Sequence, residues 1–179
     1  VALGHEVHMV TARDDGSLTE KGWVREDVEG IHVHWFPVAY SNKMGFTARI
    51  KAFLSFAWHA ARKAASLRGD VIFASSTPLT IALPAAYAAW RQRIPMVFEV
   101  RDLWPTVPIA LGILKHPLLV ALAKWLEKFA YQRSARVGAL APGMADGVVD
   151  AGYDARRIAV IPNGCDLALF GNHQLVDDS

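Results

Sequence analysis

The chain of 179 residues contains a single cysteine, Cys165. One cysteine cannot form an intramolecular disulfide or a cysteine-based zinc site, so we expect a reducing compartment such as the cytoplasm. The longest uncharged stretch, residues 71–90, is long enough to resemble a membrane span. Residues 75–78, Ser-Ser-Thr-Pro, interrupt that stretch in the middle. A strand, a turn and a helix are therefore expected there.

Several motifs of catalytic and metal chemistry are also missing. The sequence has no Gly-x-Ser-x-Gly elbow, no His-Glu-x-x-His and no Asp-x-Asp. These absences argue against an activated serine nucleophile, a zinc hydrolase and a metal-bound nucleotide sugar. His32 and His34 lie two apart on a predicted strand and share a face, but no third ligand is near them in the sequence. No metal cofactor is expected.

Acidic residues are absent from residues 30–69, although the net charge of the chain is only +2. The same region carries six basic residues: Lys43, Arg49, Lys51, Arg62, Lys63 and Arg68. Such a local excess indicates an anionic partner, such as phosphate, nucleotide or acidic lipid. Nucleic acid is not expected, because no helix-turn-helix, RNP-like or zinc-finger pattern accompanies the basic residues.

Hydrophobic residues make up 53% of the chain and charged residues 20%, which excludes disorder and fits a sheet covered by helices. Strands are predicted at 6–11, 31–36, 71–74, 96–100, 137–140 and 158–161. Helices are predicted at 46–67, 79–92, 117–133 and 143–151, with long loops near 14–30 and 105–117. This alternation predicts an α/β fold with a Rossmann-like, mostly parallel sheet and helices on both faces.

Local signals and helical periodicity add detail to this prediction. Thr77 is expected to cap a helix that begins at Pro78, and Gly152 to end the 143–151 helix in a left-handed conformation. The predicted core face of the helix at 46–67 contains Ile50, Phe53, Leu54, Ala57 and Ala61. The predicted core face of the helix at 117–133 contains Leu118, Leu122, Trp125, Leu126, Phe129 and Ala130.

The flanks of the helix at 46–67 mix basic and aromatic side chains: Arg49, Lys51, Phe56, Trp58, Arg62 and Lys63. This mixture suits the surface of an anionic bilayer. A simple solvated helix back explains it equally well at this point.

Residues 99–105, Glu-Val-Arg-Asp-Leu-Trp-Pro, follow the apolar run 94–98. A buried strand that ends in charges places them at the carboxyl edge of the sheet, where open α/β folds bind ligands. Alternation puts Glu99 and Arg101 on one face and favours their pairing, which leaves Asp102 pointing into the crevice. Trp104 is expected to form an aromatic wall. A salt-linked strand end without further function is the alternative.

The loop formed by Ser75, Ser76 and Thr77 ends a neighbouring strand. Its backbone amides could receive oxygen anions, or the loop could serve only as a helix cap.

Four segments in order resemble the retaining glycosyltransferases of family 4: residues 4–7 (Gly-His-Glu-Val), 75–80 (Ser-Ser-Thr-Pro-Leu-Thr), 99–105 (Glu-Val-Arg-Asp-Leu-Trp-Pro) and 161–166 (Ile-Pro-Asn-Gly-Cys-Asp). The resemblance covers about residues 1–170. Within the family it is similar to the branch that builds bacterial O-antigen, capsule or exopolysaccharide, including amino-sugar and fucosamine-type transferases.

This resemblance implies one half of a GT-B enzyme, in which two Rossmann-like domains face each other across a cleft. Residues 1–165 would form the N-terminal, acceptor-binding domain, and residues 166–179 the start of an interdomain linker. The first strand, the Gly-rich loop and the donor-gripping second domain are expected to lie outside this sequence, which alone would be inactive. Cys165 stands where relatives commonly carry valine and is expected to pack as a small apolar residue.

The resemblance also implies an activity. The sugar of a UDP- or GDP-sugar would pass with retention, and without a metal, to a lipid-linked or glycan acceptor in polysaccharide or lipopolysaccharide synthesis. The enzyme would then work in the cytoplasm or on the inner face of the cytoplasmic membrane of a bacterium. The implied site residues are Asp102 and Arg101 for catalysis, and Glu99, Ser75, Ser76, Thr77, Trp104 and Asn163 for the acceptor or substrate.

One position departs from the family pattern, because Arg101 stands where many members carry histidine. Arginine stays protonated and cannot act as a general base. Arg101 is therefore expected to stabilise an anionic oxygen or to orient Asp102.

Two other functions remain open. A GT-B nucleotide-sugar 2-epimerase would use the same scaffold without a lipid-facing basic helix. A non-catalytic nucleotide-binding Rossmann domain is the second alternative, and the lack of an intact Gly-rich phosphate loop argues against it.

Overall fold

The computed structural model describes residues 1–13, 22–38, 45–76 and 78–164, with the side chains of residues 46, 47, 49 and 50 outside the description. The strands are β1 (Val7–Arg13), β2 (Val24–Val28), β3 (Ile31–Pro37), β4 (Ile72–Ser75), β5 (Met96–Val100), β6 (Arg136–Ala139) and β7 (Ile158–Val160). The α-helices are α1 (Phe46–Ser66), α2 (Ala82–Gln92), α3 (Thr106–Ala110), α4 (Pro117–Arg133) and α5 (Pro142–Asp150). Short 3₁₀ turns occupy Leu79–Ile81 and Ala155–Arg157. The predicted α/β class is confirmed.

The strands form two sheets in the described part of the chain. Strands β4, β5, β6 and β7 lie side by side in that order, and all their pairings are parallel. The second sheet has the order β1-β3-β2, in which β1 is parallel and β2 antiparallel to β3. Parallel strands joined through helices are what the alternating pattern predicts.

Strand β2 is a difference from the prediction, which placed a polar loop there. Val28 pairs with Ile31, and the two residues between them, Glu29 and Gly30, have φ of 50° and 82°. Two positive φ angles in a two-residue loop make the tight hairpin turn whose twist matches that of paired strands. The strand is mostly exposed and charged because it lies at a sheet edge, so it lacks the apolar alternation that marks a half-buried strand.

The larger sheet buries one face beneath α2, α4 and α5. Phe98 and Val100 of β5 and Val137 of β6 are fully buried there, against Tyr131 of α4 and Val148 of α5. The opposite face carries Phe73, Val97, Gly138 and Ile161, of which Phe73 and Ile161 are exposed in the described structure. Strand β5 is therefore fixed by core packing on one of its two faces.

The end of α5 matches the sequence prediction. Gly152 has a φ of +92°, and its N–H donates to the Val149 carbonyl at 2.8 Å. Tyr153 folds back into the core, and its hydroxyl donates to the Ser134 carbonyl at 3.0 Å. The left-handed glycine thus lets the chain turn and dock its next residue under α4.

The start of the helix after β4 differs in detail from the prediction. Pro78 precedes a 3₁₀ turn at Leu79 and occupies the cap position with an extended conformation, not the first helical position. Thr77, the predicted cap, lies outside the described residues.

The core face that periodicity assigns to α4 is wrong at three positions, although Ala130 is buried and Leu126 packs against the core as predicted. Leu118, Leu122 and Trp125 are 73%, 58% and 55% exposed. The residues that α4 buries are Ala123, Glu127, Ala130 and Tyr131. Large apolar residues lie on two sides of this helix, and small alanines let it approach the sheet closely, so hydrophobic spacing placed the centre of the buried face too far toward Leu118, Leu122 and Trp125.

The face assigned to α1 is wrong at one position, because Leu54 is exposed. Ala60 and Ala61 are buried, and α1 packs along α2, where the Gln92 amide donates to the Ala64 carbonyl at 2.9 Å. Ile50, part of the predicted face, has a side chain outside the described residues.

Candidate functional site

The carboxyl ends of β4 and β5 meet at one edge of the larger sheet. Ser75, the last residue of β4, lies opposite Glu99 of β5 in the strand register. The Ser75 hydroxyl donates a hydrogen bond to the Glu99 carboxylate at 2.5 Å. Among the residues described, no Glu99–Arg101 ion pair is present, so the pairing favoured by strand alternation is replaced by a cross-strand bond. Strand β5 ends at Val100, and alternation therefore does not extend to Arg101.

Ser76 joins the two strands a second time. Its backbone N–H donates to the Glu99 carbonyl at 2.9 Å, and its hydroxyl accepts from the backbone N–H of Arg101 at 2.9 Å. The Ser76 side chain is buried. Buried polar groups are costly unless they are hydrogen-bonded, so these two bonds fix where the backbone leaves β5. Ser76 is therefore a positioning residue for Arg101.

Arg101 and Asp102 are both exposed. The Asp102 carbonyl accepts from the Trp104 N–H at 2.9 Å, which closes a tight turn directly after the strand. A carboxylate buried in a closed ion pair would have removed Asp102 from the candidate site. Asp102 is instead exposed at the carboxyl edge, which is where open α/β sheets bind their ligands.

Leu103 anchors this turn from below. It packs against the core of the larger sheet, and a β-carbon placed at Gly147 of α5 would lie 2.8 Å from Leu103 Cδ2. The missing side chain at residue 147 therefore makes room for Leu103, while Asp102 and Trp104 on either side of it remain exposed. The sequence prediction missed this contact. A glycine inside a predicted helix was the available signal, since helix interiors disfavour glycine without a packing reason.

Trp104 is joined to Pro105 by a cis peptide bond, and Pro105 is buried while Trp104 stays exposed. The short helix α3 follows at Thr106, in a segment predicted to be a loop. Its five residues include Pro108, and neither the length nor the proline gives a helical pattern that can be recognised.

Asn163 follows β7 at the same edge and is exposed. Strand β6 lies between β5 and β7, so Asn163 is separated from Glu99 by one strand. Thr77 and Cys165 lie outside the described residues. The structure thus joins Ser75 to Glu99 and Ser76 to Arg101, with Asp102 and Trp104 directly after them in the chain.

A small depression of about 60 Å³ lies on the exposed face of the larger sheet, beside this edge. Glu99 borders it together with residues of three other strands, among them Phe73, Gly138 and Ala159. Its lining is mainly apolar, so polar contacts to a ligand would come from the strand ends.

Within the described ranges, no group of three or more His, Cys, Asp or Glu residues is arranged to hold a metal ion. His32 and His34 instead pack with His8 of β1, which lies opposite His32 in the strand register. His8 Nδ1 and His34 Nε2 are 3.2 Å apart, and His32 also contacts Asp27. The sequence prediction missed His8 because the pairing of β1 with β3 brings together residues that are far apart in the chain.

The residues predicted for a membrane surface do not all face the same way. Lys51, Trp58 and Arg62 of α1 are exposed, and Phe56 is half-buried. The Lys63 ammonium lies 5.9 Å from the Trp23 ring and so points toward the smaller sheet. The side chain of Arg49 is outside the description.

Replacing Ser76 with alanine tests how the exit of β5 is positioned. We expect a loss of about 1 kcal/mol in the free energy of unfolding, because the backbone N–H of Arg101 loses its acceptor. Urea unfolding measures the effect, and Ser55→Ala at an exposed position of α1 is the control. An unchanged free energy of unfolding in Ser76→Ala would contradict the positioning role.

Comparisons with known proteins place this geometry in context. Among curated proteins, none matches the sequence. A solved structure with a similar fold is that of Anabaena Alr3699/HepE in complex with UDP and glucose, with a TM-score of 0.50 and 19% sequence identity. The similar region covers 79% of this chain and 33% of that protein, so the chain spans about a third of the length of this relative.

The family model described as "Glycosyl transferase 4-like domain" matches residues 1–164, which include both sheets and the carboxyl-edge residues Ser75 to Asn163. Since that match extends over nearly the whole sequence, the chain belongs to the glycosyl transferase 4-like domain family.

Proposed function

We propose that this chain is the acceptor-binding half of a GT-B glycosyltransferase that transfers a sugar from a nucleotide sugar to an acceptor hydroxyl. The family match over residues 1–164 supports glycosyl transfer, and the similar fold of a protein crystallised with UDP and glucose agrees with it. The observation that carries the proposal is the exposed Asp102 at the carboxyl edge of the parallel sheet, in a chain of this family.

The proposed reaction proceeds with retention of configuration. The bond between the anomeric carbon and the leaving diphosphate oxygen breaks, while the acceptor oxygen attacks the same face of the sugar. The proton of the acceptor hydroxyl passes to the leaving diphosphate. The protein needs no nucleophile for this step; it aligns the two substrates and stabilises the charges that develop.

Each residue of the carboxyl edge has a role in this proposal. Asp102 orients the acceptor hydroxyl or stabilises positive charge on the transferred sugar. Arg101 stabilises an anionic oxygen, and Ser76 holds the Arg101 backbone in place. Ser75 and Glu99 form a hydrogen-bonded pair that contacts the acceptor, with Trp104 as an apolar wall and Asn163 at the far end.

The finer assignments are parts of the same proposal. The donor is a UDP- or GDP-sugar held mainly by a second domain, and the reaction needs no metal. The acceptor is a lipid-linked glycan of a bacterial surface polysaccharide, such as O-antigen, capsule or exopolysaccharide. The enzyme then acts at the inner face of the cytoplasmic membrane. Among the described residues, no helix combines the length and apolar composition needed to cross a membrane.

The experiment that tests this function measures the release of free nucleotide by the full-length protein. Candidate UDP- and GDP-sugars are supplied with and without a lipid-linked glycan extract, with EDTA present. Nucleotide release only when acceptor is added, together with a product of unchanged anomeric configuration, supports transfer. Conversion of the donor sugar to its epimer without acceptor would instead identify an epimerase. Failure to turn over any donor would contradict an enzymatic function.

A further inference from the structure

Helices α1 and α2 carry large aromatic side chains on the outside of the molecule. Trp58 of α1 and Trp90 of α2 are 64% and 69% exposed, and Tyr87 of α2 is also exposed. Tryptophan is largely buried in most folded proteins, so two such residues on neighbouring helices mark a surface that has a partner. The two helices pack along each other, and Tyr87 and Trp90 have ring centroids 6.1 Å apart.

A shallow groove lies between the two helices. Arg62 and Ser66 of α1 and Tyr87 and Arg91 of α2 line this groove, which has a volume of about 340 Å³. The Arg62 guanidinium also lies 5.8 Å from the Trp58 ring. Arg62 and Tyr87 therefore line the groove, and each of them contacts one of the two tryptophans.

This surface is positively charged and has no acidic counterpart on its own helices. Neither α1 nor α2 contains an aspartate or glutamate, and the residues that line the groove include no carboxylate. Arg62 and Arg91 are both exposed. Two guanidinium groups and a phenol hydroxyl at the rim of one groove match the oxygen atoms of a phosphate diester.

We propose that this surface, consisting of Trp58, Arg62, Tyr87, Trp90 and Arg91, docks the protein on the anionic phospholipids of a bilayer. Aromatic side chains with one polar end are suited to the boundary between headgroups and acyl chains, and arginines beside them pair with lipid phosphates. A soluble phosphate would use the arginines but would leave both tryptophans exposed. An acidic protein partner would not account for the aromatic rim as simply.

The inference rests on the proposed function in one respect, since an enzyme with a lipid-linked acceptor has to reach that acceptor at the membrane. It also extends the membrane surface that the sequence predicts for α1 to a groove between α1 and α2. Lys63, predicted for the membrane surface, is not part of it, because its ammonium points toward Trp23, which directly precedes β2. The docking residues are also separate from the carboxyl-edge residues, so binding to lipid can be measured without turnover.

The test is co-sedimentation of the full-length protein with vesicles, in the absence of donor and acceptor. Phosphatidylcholine vesicles are compared with vesicles that contain phosphatidylglycerol, at low and at physiological salt. We expect binding only to the anionic vesicles. The double variant Arg62→Glu/Arg91→Glu should bind at least about 25-fold more weakly, because each of the two arginines near an anionic bilayer contributes a factor of about five.

The matched control is Arg25→Glu/Arg156→Glu, which makes the same charge change at exposed arginines of β2 and of the 3₁₀ turn at 155–157. It should bind nearly as the wild type does. The variant Trp58→Ser/Trp90→Ser keeps both arginines and should also lose most of its binding, which separates membrane docking from simple attraction of anions. Circular dichroism confirms that each variant is folded.

Equal binding to neutral and anionic vesicles would overturn the proposal, as would equal loss of binding in the control and the Arg62/Arg91 variant. Binding of inorganic phosphate that depends on Arg62 and Arg91, without vesicle binding, would also overturn it in favour of a soluble anion. If the full-length wild-type protein binds anionic vesicles but transfers no sugar from any donor, the proposed function is refuted and the docking surface is still supported.

Discussion

Asparagine in place of Asp102 is expected to lower sugar transfer by the full-length protein at least about 100-fold, the usual loss when a charged group that acts in the transition state is removed. The substitution keeps the size of the side chain and removes only its charge. The turn after β5 should survive, because the bond from the Trp104 N–H is accepted by the backbone carbonyl of residue 102. Circular dichroism and urea unfolding of the variant show whether a large effect reports on chemistry and not on folding.

The kinetics of this variant separate two roles for Asp102. If the carboxylate stabilises charge that develops on the sugar, kcat falls and the KM of the acceptor changes little. If the carboxylate mainly holds the acceptor hydroxyl, the KM of the acceptor rises as well. The KM of the donor should stay nearly constant, because the second domain is proposed to bind the nucleotide.

The matched control is Asp70→Asn. Asp70 is an exposed carboxylate that precedes β4, at the amino edge of the same sheet and opposite to the proposed site. It should leave both kinetic constants near their wild-type values. Turnover of Asp102→Asn within a few-fold of wild type would exclude Asp102 from the catalytic residues.

Much of the larger sheet was predictable because its signals are local. Residues 96–100 form a strand with the predicted bounds, and α4 begins and ends at the predicted residues. An apolar run bounded by Pro95 and by charge defines a strand within a few residues of sequence, and Pro117 marks the start of a helix. The position of Asp102 at the sheet edge follows from the same local pattern.

The parts that could not be predicted depend on contacts between distant residues. Which hydroxyl would meet Glu99 is decided by the register of β4 against β5, and that register brings Ser75 to it. The buried side of α4 is similarly decided by the alanines that fit closely against the sheet. Periodicity alone gives no information on either choice, because it describes one element at a time.

The stability of the smaller sheet is expected to fall steeply below pH 6.5 because of His34 in β3. The side chain of His34 is only 3% exposed, and its Nδ1 has no hydrogen-bond partner. The pKa of His34 is lowered to about 4, mainly by burial and in smaller part by the charges of Lys63, His8, Arg25 and His32. Glu6 and Asp27 contact His8 and His32 and are the acidic groups of this cluster.

The sign of the effect follows from where the proton binds. In the unfolded chain His34 takes up a proton near pH 6.5, whereas in the folded protein it stays neutral until about pH 4. The stability is therefore fully present above pH 6.5 and is lost as the pH falls toward 4. The loss amounts to about 2 kcal/mol between pH 7.5 and pH 5, and to about 3 kcal/mol at its limit.

Urea unfolding of the full-length protein at pH 7.5 and pH 5 measures this loss, with His34→Gln as the test variant. Glutamine can still bond to His8 but does not titrate, so the variant should lose about 2 kcal/mol less than the wild type over this interval. The exposed His5→Gln is the control and should follow the wild-type profile. Parallel pH profiles for wild type and His34→Gln would show that protonation of this buried imidazole does not limit the stability of the fold.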